Sequence, residues 1–109
     1  MLKRINWHNK SIKGETELCK EFGLTKTPQS GASWHSKSDA YTKELRIEIK
    51  ETDSESIRIQ RKWLKKIQDE AELTGRIPVL LFRINDLYYA ATPANHFFAM
   101  AKGDDGTDV

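Results

Sequence analysis

Apolar and charged residues alternate without a break through Leu45-Arg46-Ile47-Glu48-Ile49-Lys50. This period of two predicts a strand with Leu45, Ile47 and Ile49 in a core and Arg46, Glu48 and Lys50 sharing the other face. Asp39-Ala40-Tyr41-Thr42 is a short strand candidate just upstream. With Lys43-Glu44 as a two-residue turn, Thr42 pairs with Leu45, Ala40 with Ile47, and Asp39 with Glu48; a four-residue loop would keep that pairing. Before this hairpin, Glu15–Phe22 is expected to be a short helix stopped by Gly23, followed by a strand over residues 24–27. After it, residues 56–74 turn helical, with Gln60, Trp63, Leu64, Ile67 and Ala71 on one face and Gly75 as the stop. Residues 77–83 are a nearly continuous apolar run, a buried strand with Pro78 at its start. Asn85-Asp86 is a turn, and Leu87–Ala91 a strand returning antiparallel. Thr92 as N-cap and Pro93 at the first position open a last helix, Ala94–Ala101. The order helix, three strands, helix, two strands, helix predicts an α/β domain with a mixed central sheet flanked by helices.

The hairpin register carries the first chemical consequence. It sets the carboxylates of Asp39 and Glu48 side by side on one sheet face, with Cβ atoms about 4.5–5.5 Å apart. Directly opposed like charges destabilise a sheet unless something compensates them, and a divalent cation does so through carboxylate oxygens and waters. Lys50 is then placed to hold a nucleophilic water or to stabilise a pentavalent phosphate. Taken alone, Glu48 and Lys50 are equally ordinary residues of a solvated edge hairpin. A Lys-Glu turn is also poor chemistry for a tight hairpin.

Asp39, followed nine residues later by Glu48-Ile49-Lys50, resembles the metal-binding core of the PD-(D/E)XK nucleases. Ser30-Gly31, nine residues before Asp39, is similar to the Ser-Gly loop of archaeal-type Holliday junction resolvases. The likeness in element order covers residues 10–92, and Ser38 stands where the signature has proline. The resemblance implies a restriction-endonuclease-like fold in which Asp39, Glu48 and the carbonyl of Ile49 hold one or two Mg²⁺ ions, with Mn²⁺ able to substitute. Lys50 would orient the water or neutralise developing charge, Gln60 would lend polar support, and Ser30 would position the backbone near the cut. Glu15 shares a helix face with Leu18 and Phe22 and would complete the outer shell of the metal, with Glu17 as the alternative. Both acids also suit the helix N-terminus for its dipole alone. The implied activity is metal-dependent hydrolysis of DNA phosphodiesters, leaving a 5′-phosphate and a 3′-hydroxyl, by a Holliday junction resolvase or other structure-selective endonuclease. A four-way junction is approximately two-fold symmetric, so a homodimer is the expected form. A general duplex or single-strand nuclease of the same superfamily, and a non-catalytic nucleic-acid-binding domain, remain as alternatives.

Composition and charge refine this picture. The chain has 109 residues, enough for one domain, expected over residues 1–102, with 103–109 as a disordered acidic tail. The N-terminus has bases but no apolar segment behind them, and no apolar run approaches the ~18–20 residues of a membrane span. Cys19 is the single cysteine, and His8, His35 and His96 fall at no ligand spacing. These features lead to the expectation of a cytoplasmic protein of a bacterial, archaeal or phage-infected cell. Net charge is +2, and without the acidic tail about +5, which suits a polyanionic partner. Bases cluster in residues 1–13 and again as Arg58, Arg61, Lys62, Lys65 and Lys66. Arg58, Arg61, Lys62 and Lys65 are the candidate DNA contacts. On the long helix the bases precede the acids, against the preference of the dipole, which is worth about 0.3–1 kcal/mol per charge. The last helix carries Phe97, Phe98 and Met100, more apolar surface than so short an element needs, and part of it is a candidate dimer contact.

Overall fold

The computed structural model describes residues 14–28 and 38–103. The basic arm at 1–13, the Ser30-Gly31 loop with Trp34 and His35, and the tail beyond 103 lie outside the described residues. In chain order the elements are α1 (Glu15–Phe22), β1 (Thr25–Lys26), β2 (Ala40–Tyr41), β3 (Leu45–Thr52), α2 (Arg61–Thr74), β4 (Ile77–Ile84), β5 (Leu87–Ala91) and α3 (Ala94–Ala101). The five strands form one sheet in the order β1-β2-β3-β4-β5. Only β3 and β4 run parallel; the other neighbours are antiparallel. A parallel pair needs a long crossover, and α2 is that connection. The domain is therefore α/β, a mixed five-stranded sheet with three helices.

The hairpin has the expected register, with Ala40 opposite Ile47 and Tyr41 opposite Arg46. Its turn is closed by the Thr42 N–H, which donates to the Leu45 carbonyl at 2.9 Å. The Thr42 hydroxyl oxygen accepts from the N–H groups of Glu44 at 3.2 Å and Leu45 at 3.0 Å. A side-chain acceptor at the first turn position stabilises a loop whose central residues, Lys43 and Glu44, have no special turn chemistry. The β4–β5 hairpin uses the other solution. Asn85 adopts a left-handed φ of 57°, which asparagine tolerates, and lets Ile84 pair with Leu87 across two residues.

Side chains alternate across the sheet, so each face gathers one parity of each strand. On the first face Leu18 and Cys19 of α1 pack with Ala40, Ile47, Ile49 and Val79. On the second face Ile67 and Ala71 of α2 are buried, and Ile67 lies near Pro78 and Leu80. The charged face of β3 is consequently covered, not solvated. Glu48, expected opposite the core, is only 4% exposed, because the apolar stripe of α2 must sit on that same face.

Other expectations need correction. Helix α2 starts at Arg61, not at residue 56, with Gln60 extended (φ −94°, ψ 139°) at its N-cap position. Ile57 and Ile59, β-branched at alternate positions, suit extended chain. Strand β1 is Thr25–Lys26 rather than residues 24–27, although Thr27 N–H still donates to the Asp39 carbonyl at 2.9 Å. Thr92 does not cap α3. Its hydroxyl donates to the Pro78 carbonyl at 2.8 Å and Pro93 takes the N-cap position. Phe22 shares a helix face with the buried Leu18, yet it is 50% exposed, touching the sheet edge-on at Tyr88 of β5.

Candidate active site

Strand β2 ends in a carboxylate, and that ending creates the site. The Asp39 N–H donates at 2.9 Å to the carbonyl of Ile47, the residue opposite Ala40. Where the next backbone acceptor would fall, Asp39 Oδ2 accepts the Ile49 N–H at 2.7 Å. A strand residue's N–H and C=O leave on the same side, so the Ile49 carbonyl faces this edge too. The β2–β3 pairs are Ala40–Ile47 and Tyr41–Arg46, and Asp39, just before them, meets Glu48 through its charge.

Glu48 is enclosed by two ammonium groups. Lys66 Nζ, from α2, lies 3.0 Å from its Oε1, and Lys50 Nζ lies 3.4 Å from its Oε2. Lys50 also sits over the ring of Trp63, 4.8 Å from the centroid, a cation–π contact that fixes its direction. Among the described residues Asp39 has no such cation in contact. Burial raises its carboxyl from the ordinary 3.8 to about 6. The Ile49 N–H opposes the rise, Glu48 and Glu15 add to it through their charge, and Lys66 offsets them in part. Glu15 therefore belongs to this neighbourhood electrostatically, as its helical phase predicts. Cys19, buried beside it, has its thiol pushed up first by burial and then by Glu15, which makes it a poor nucleophile.

A second layer holds the strand that carries Asp39. Ser38 is 2% exposed, and its N–H donates to Glu70 Oε1 on α2. Arg46 lies 3.7 Å from the same oxygen, and the guanidiniums of Arg46 and Arg76 each stack on the Tyr41 ring at 5.3 Å. A proline at position 38, as in the nuclease signature, could not make the Glu70 contact. Here a hydrogen bond from the helix directs the chain into Asp39.

The predicted site residues thus separate into groups. Asp39, Glu48, Lys50 and the Ile49 backbone come together, and Glu15 acts on them through its field. Ser30 lies outside the described residues. Arg61 and Lys62 are exposed at the start of α2, and Arg58 precedes the helix. Lys65 is engaged with Asp69 at 3.2 Å on the solvent side. Three participants escape the sequence patterns: Lys66, Trp63 as the support of Lys50, and Glu70. Trp63 is legible only as a packing residue. The signal for the other two is their spacing, because 63, 66 and 70 follow a three-then-four step down one flank of α2.

Among the described residues no group of three or more His, Cys, Asp or Glu side chains gathers to hold a metal. Two carboxylates and one carbonyl are nevertheless the donors that suit Mg²⁺, which takes one or two carboxylates and keeps several waters. They do not suit a thiolate- or imidazole-preferring ion. The neighbouring acids and the raised Asp39 carboxyl suit an added positive charge, so the residues fit Mg²⁺ or Mn²⁺. Among the described residues no helix is long and apolar enough to cross a membrane. Comparison with protein-family models, with curated proteins and with solved structures finds no match to this chain.

Proposed function

We propose that this protein is a metal-dependent DNA endonuclease with a restriction-endonuclease-like site, acting on branched DNA such as a Holliday junction. The observation that carries the proposal is the convergence of Asp39, whose Oδ2 accepts the Ile49 N–H at 2.7 Å, with the charge of Glu48 and its neighbour Lys50. Two acids act on one another through their charge, Asp39 with its carboxyl raised to about 6 and Glu48 4% exposed beneath α2. Burying opposed charges costs stability, and a catalytic use gives a reason to retain them.

A bound Mg²⁺ would polarise the scissile phosphate and lower the pKa of a coordinated water. Asp39, Glu48 and the Ile49 carbonyl are the groups that would hold it. Lys50, kept in place by Trp63, would donate to the attacking water or to a phosphate oxygen. Lys66 would keep Glu48 in position until the site is filled. Glu15 would add negative field at the outer edge. Exposed Arg58, Arg61 and Lys62 would meet the phosphate backbone, and affinity would fall steeply with salt.

The test is cleavage of a labelled four-way junction beside its linear duplex, with Mg²⁺ and with EDTA. Glu48→Ala and Lys50→Ala proteins run in parallel. Nicks in the junction alone, lost in EDTA and in both variants, are the expected result. Equal cutting of the duplex would assign a general nuclease of the same superfamily.

One observation favours a different function. Both Glu48 oxygens already have ammonium partners, so the acid can be a structural member of a buried ion triad in a non-catalytic nucleic-acid-binding domain. Junction binding with no metal-dependent cutting would select that alternative.

A further inference from the structure

The surface opposite α2 carries an unsatisfied apolar face. Residues 87–101, which form β5, the Thr92-Pro93 link and α3, contain no Asp, Glu, Lys or Arg, in a chain with 31% charged residues. Helix α3 is Ala-Asn-His-Phe-Phe-Ala-Met-Ala, yet none of its residues is buried. A helix that is apolar nearly all round is normally enclosed, and one of eight residues has little stability of its own. Phe97, Phe98 and Met100 are 51%, 59% and 48% exposed. Between α3 and the end of α1 runs a groove of about 480 Å³, walled by Phe22, Phe97 and Met100 and floored by Leu45, Val79 and Leu81. Strand β5 is the last in the sheet. Its outer edge carries neither proline nor charge, the features by which proteins usually protect an edge.

We propose that this β5–α3 face is a self-association surface, on which a second copy of the chain docks about a two-fold axis. Three features select a second copy. A two-fold interface sets a patch against itself, so any charge near the axis meets its own like; this face has none. The patch also holds both halves of a contact: the exposed Phe98 packs edge-on against Phe97, a wall of the open groove that the second copy's Phe98 can enter. The area is sufficient as well. Phe22, Phe97, Phe98 and Met100 are each about half exposed, which at ~200 Å² per large side chain is on the order of 400 Å². Groove walls and the β5 edge lie alongside, towards the ~800 Å² that each partner contributes to a standard interface. A nucleic acid gains nothing from an uncharged surface. The proposal does not depend on nuclease activity; if that activity is real, association places two candidate sites in one particle.

Sedimentation equilibrium of the full chain from 1 to 200 µM tests this. The expected result is a monomer–dimer equilibrium that persists at 0.5 M NaCl, because the contact is apolar. Phe98→Glu and Ala90→Lys each place charge on the face and should weaken association at least 100-fold, with far-UV circular dichroism unchanged. Should Phe98→Glu not fold, Ala90→Lys decides alone. A wild-type protein that stays monomeric throughout, as it would if residues 1–13 or another protein covered the face, overturns the proposal. So does a folded variant that keeps the wild-type association constant.

Discussion

Asp39→Asn is expected to stabilise the protein while removing a proposed metal ligand. The amide oxygen can still accept the Ile49 N–H, which the aspartate takes at 2.7 Å, and the charge opposed to Glu48 disappears. The folded state holds the Asp39 proton more tightly than the unfolded chain does. Between about pH 4 and 6 the folded state therefore binds more protons, and wild-type stability falls as pH rises. Above about 6 the whole penalty is present; below 3.8 both states are protonated and it vanishes. The displacement from 3.8 to about 6 corresponds to at most ~3 kcal/mol. Asp39 is only partly buried, and solvent screening reduces the expected effect to about 1–2 kcal/mol. For a domain of this size that is roughly 4–12 °C in Tm. Urea denaturation of both proteins from pH 4 to 8 measures it, with unchanged m-values as the check on two-state behaviour. Asn should be the more stable side chain at pH 7.5, and the difference should shrink to near zero at pH 4. Addition of Mg²⁺ at pH 7.5 should raise the wild type towards the variant, by about 2.7 kcal/mol at 100 times Kd, and should affect the variant much less. A variant no more stable than wild type at pH 7.5, or a difference flat from pH 4 to 8, would refute the electrostatic account of Asp39.

Three further outcomes are expected. Lys66→Met frees Glu48 Oε1, so the Mg²⁺ concentration for half-maximal junction cleavage should fall several-fold; an unchanged midpoint would mean that Lys66 does not compete with metal. Thr42→Val removes the acceptor that serves two backbone N–H groups at the β2–β3 turn and should cost about 1–2 kcal/mol in urea unfolding, with Mg²⁺-dependent melting shifts retained. Arg61→Gln with Lys62→Gln should weaken junction binding and reduce the slope of log K against log salt by about 0.9 for each phosphate that is no longer neutralised; an unchanged slope would place the DNA elsewhere.

The hairpin register was legible because it rests on alternation, and alternation survives even where turn chemistry is unusual. Period two paired Ala40 with Ile47 whatever closed the loop. The closing device, the Thr42 hydroxyl, was invisible because it is one side-chain hydrogen bond. Element order and the limits of α1, β5 and α3 followed from Gly23, Asn85 and Pro93, residues with restricted or special backbone preferences. The start of α2 did not. Charged residues at 58–62 are compatible with helix or extended chain, and only Gln60's backbone decides between them. The site was half legible for the same reason. Asp39, Glu48 and Lys50 share one local hairpin, whereas Lys66 and Glu70 arrive from α2 through a tertiary contact that sets a helix on the charged face of β3. Alternation says which residues share a face, but not whether that face is wet.

That covered face also separates the two accounts of Glu48. A buried ion pair rarely stabilises a fold more than well-packed apolar side chains of similar volume, while removal of one partner alone costs about 3–5 kcal/mol. Glu48→Met combined with Lys66→Met replaces both partners and leaves Lys50, whose side chain is 32% exposed, on the Trp63 ring with access to water. Folding alone therefore predicts a double variant as stable as wild type, or more so by about 1–4 kcal/mol, and each single variant less stable. If the triad exists to hold the fold, the double variant should be clearly less stable than wild type and should still bind junctions no worse than the wild-type protein. If it exists for chemistry, the double variant should melt at or above the wild-type temperature, bind the junction, and show neither cleavage nor an Mg²⁺-dependent rise in Tm. A destabilised double variant would remove the main physical reason for placing a metal between Asp39 and Glu48.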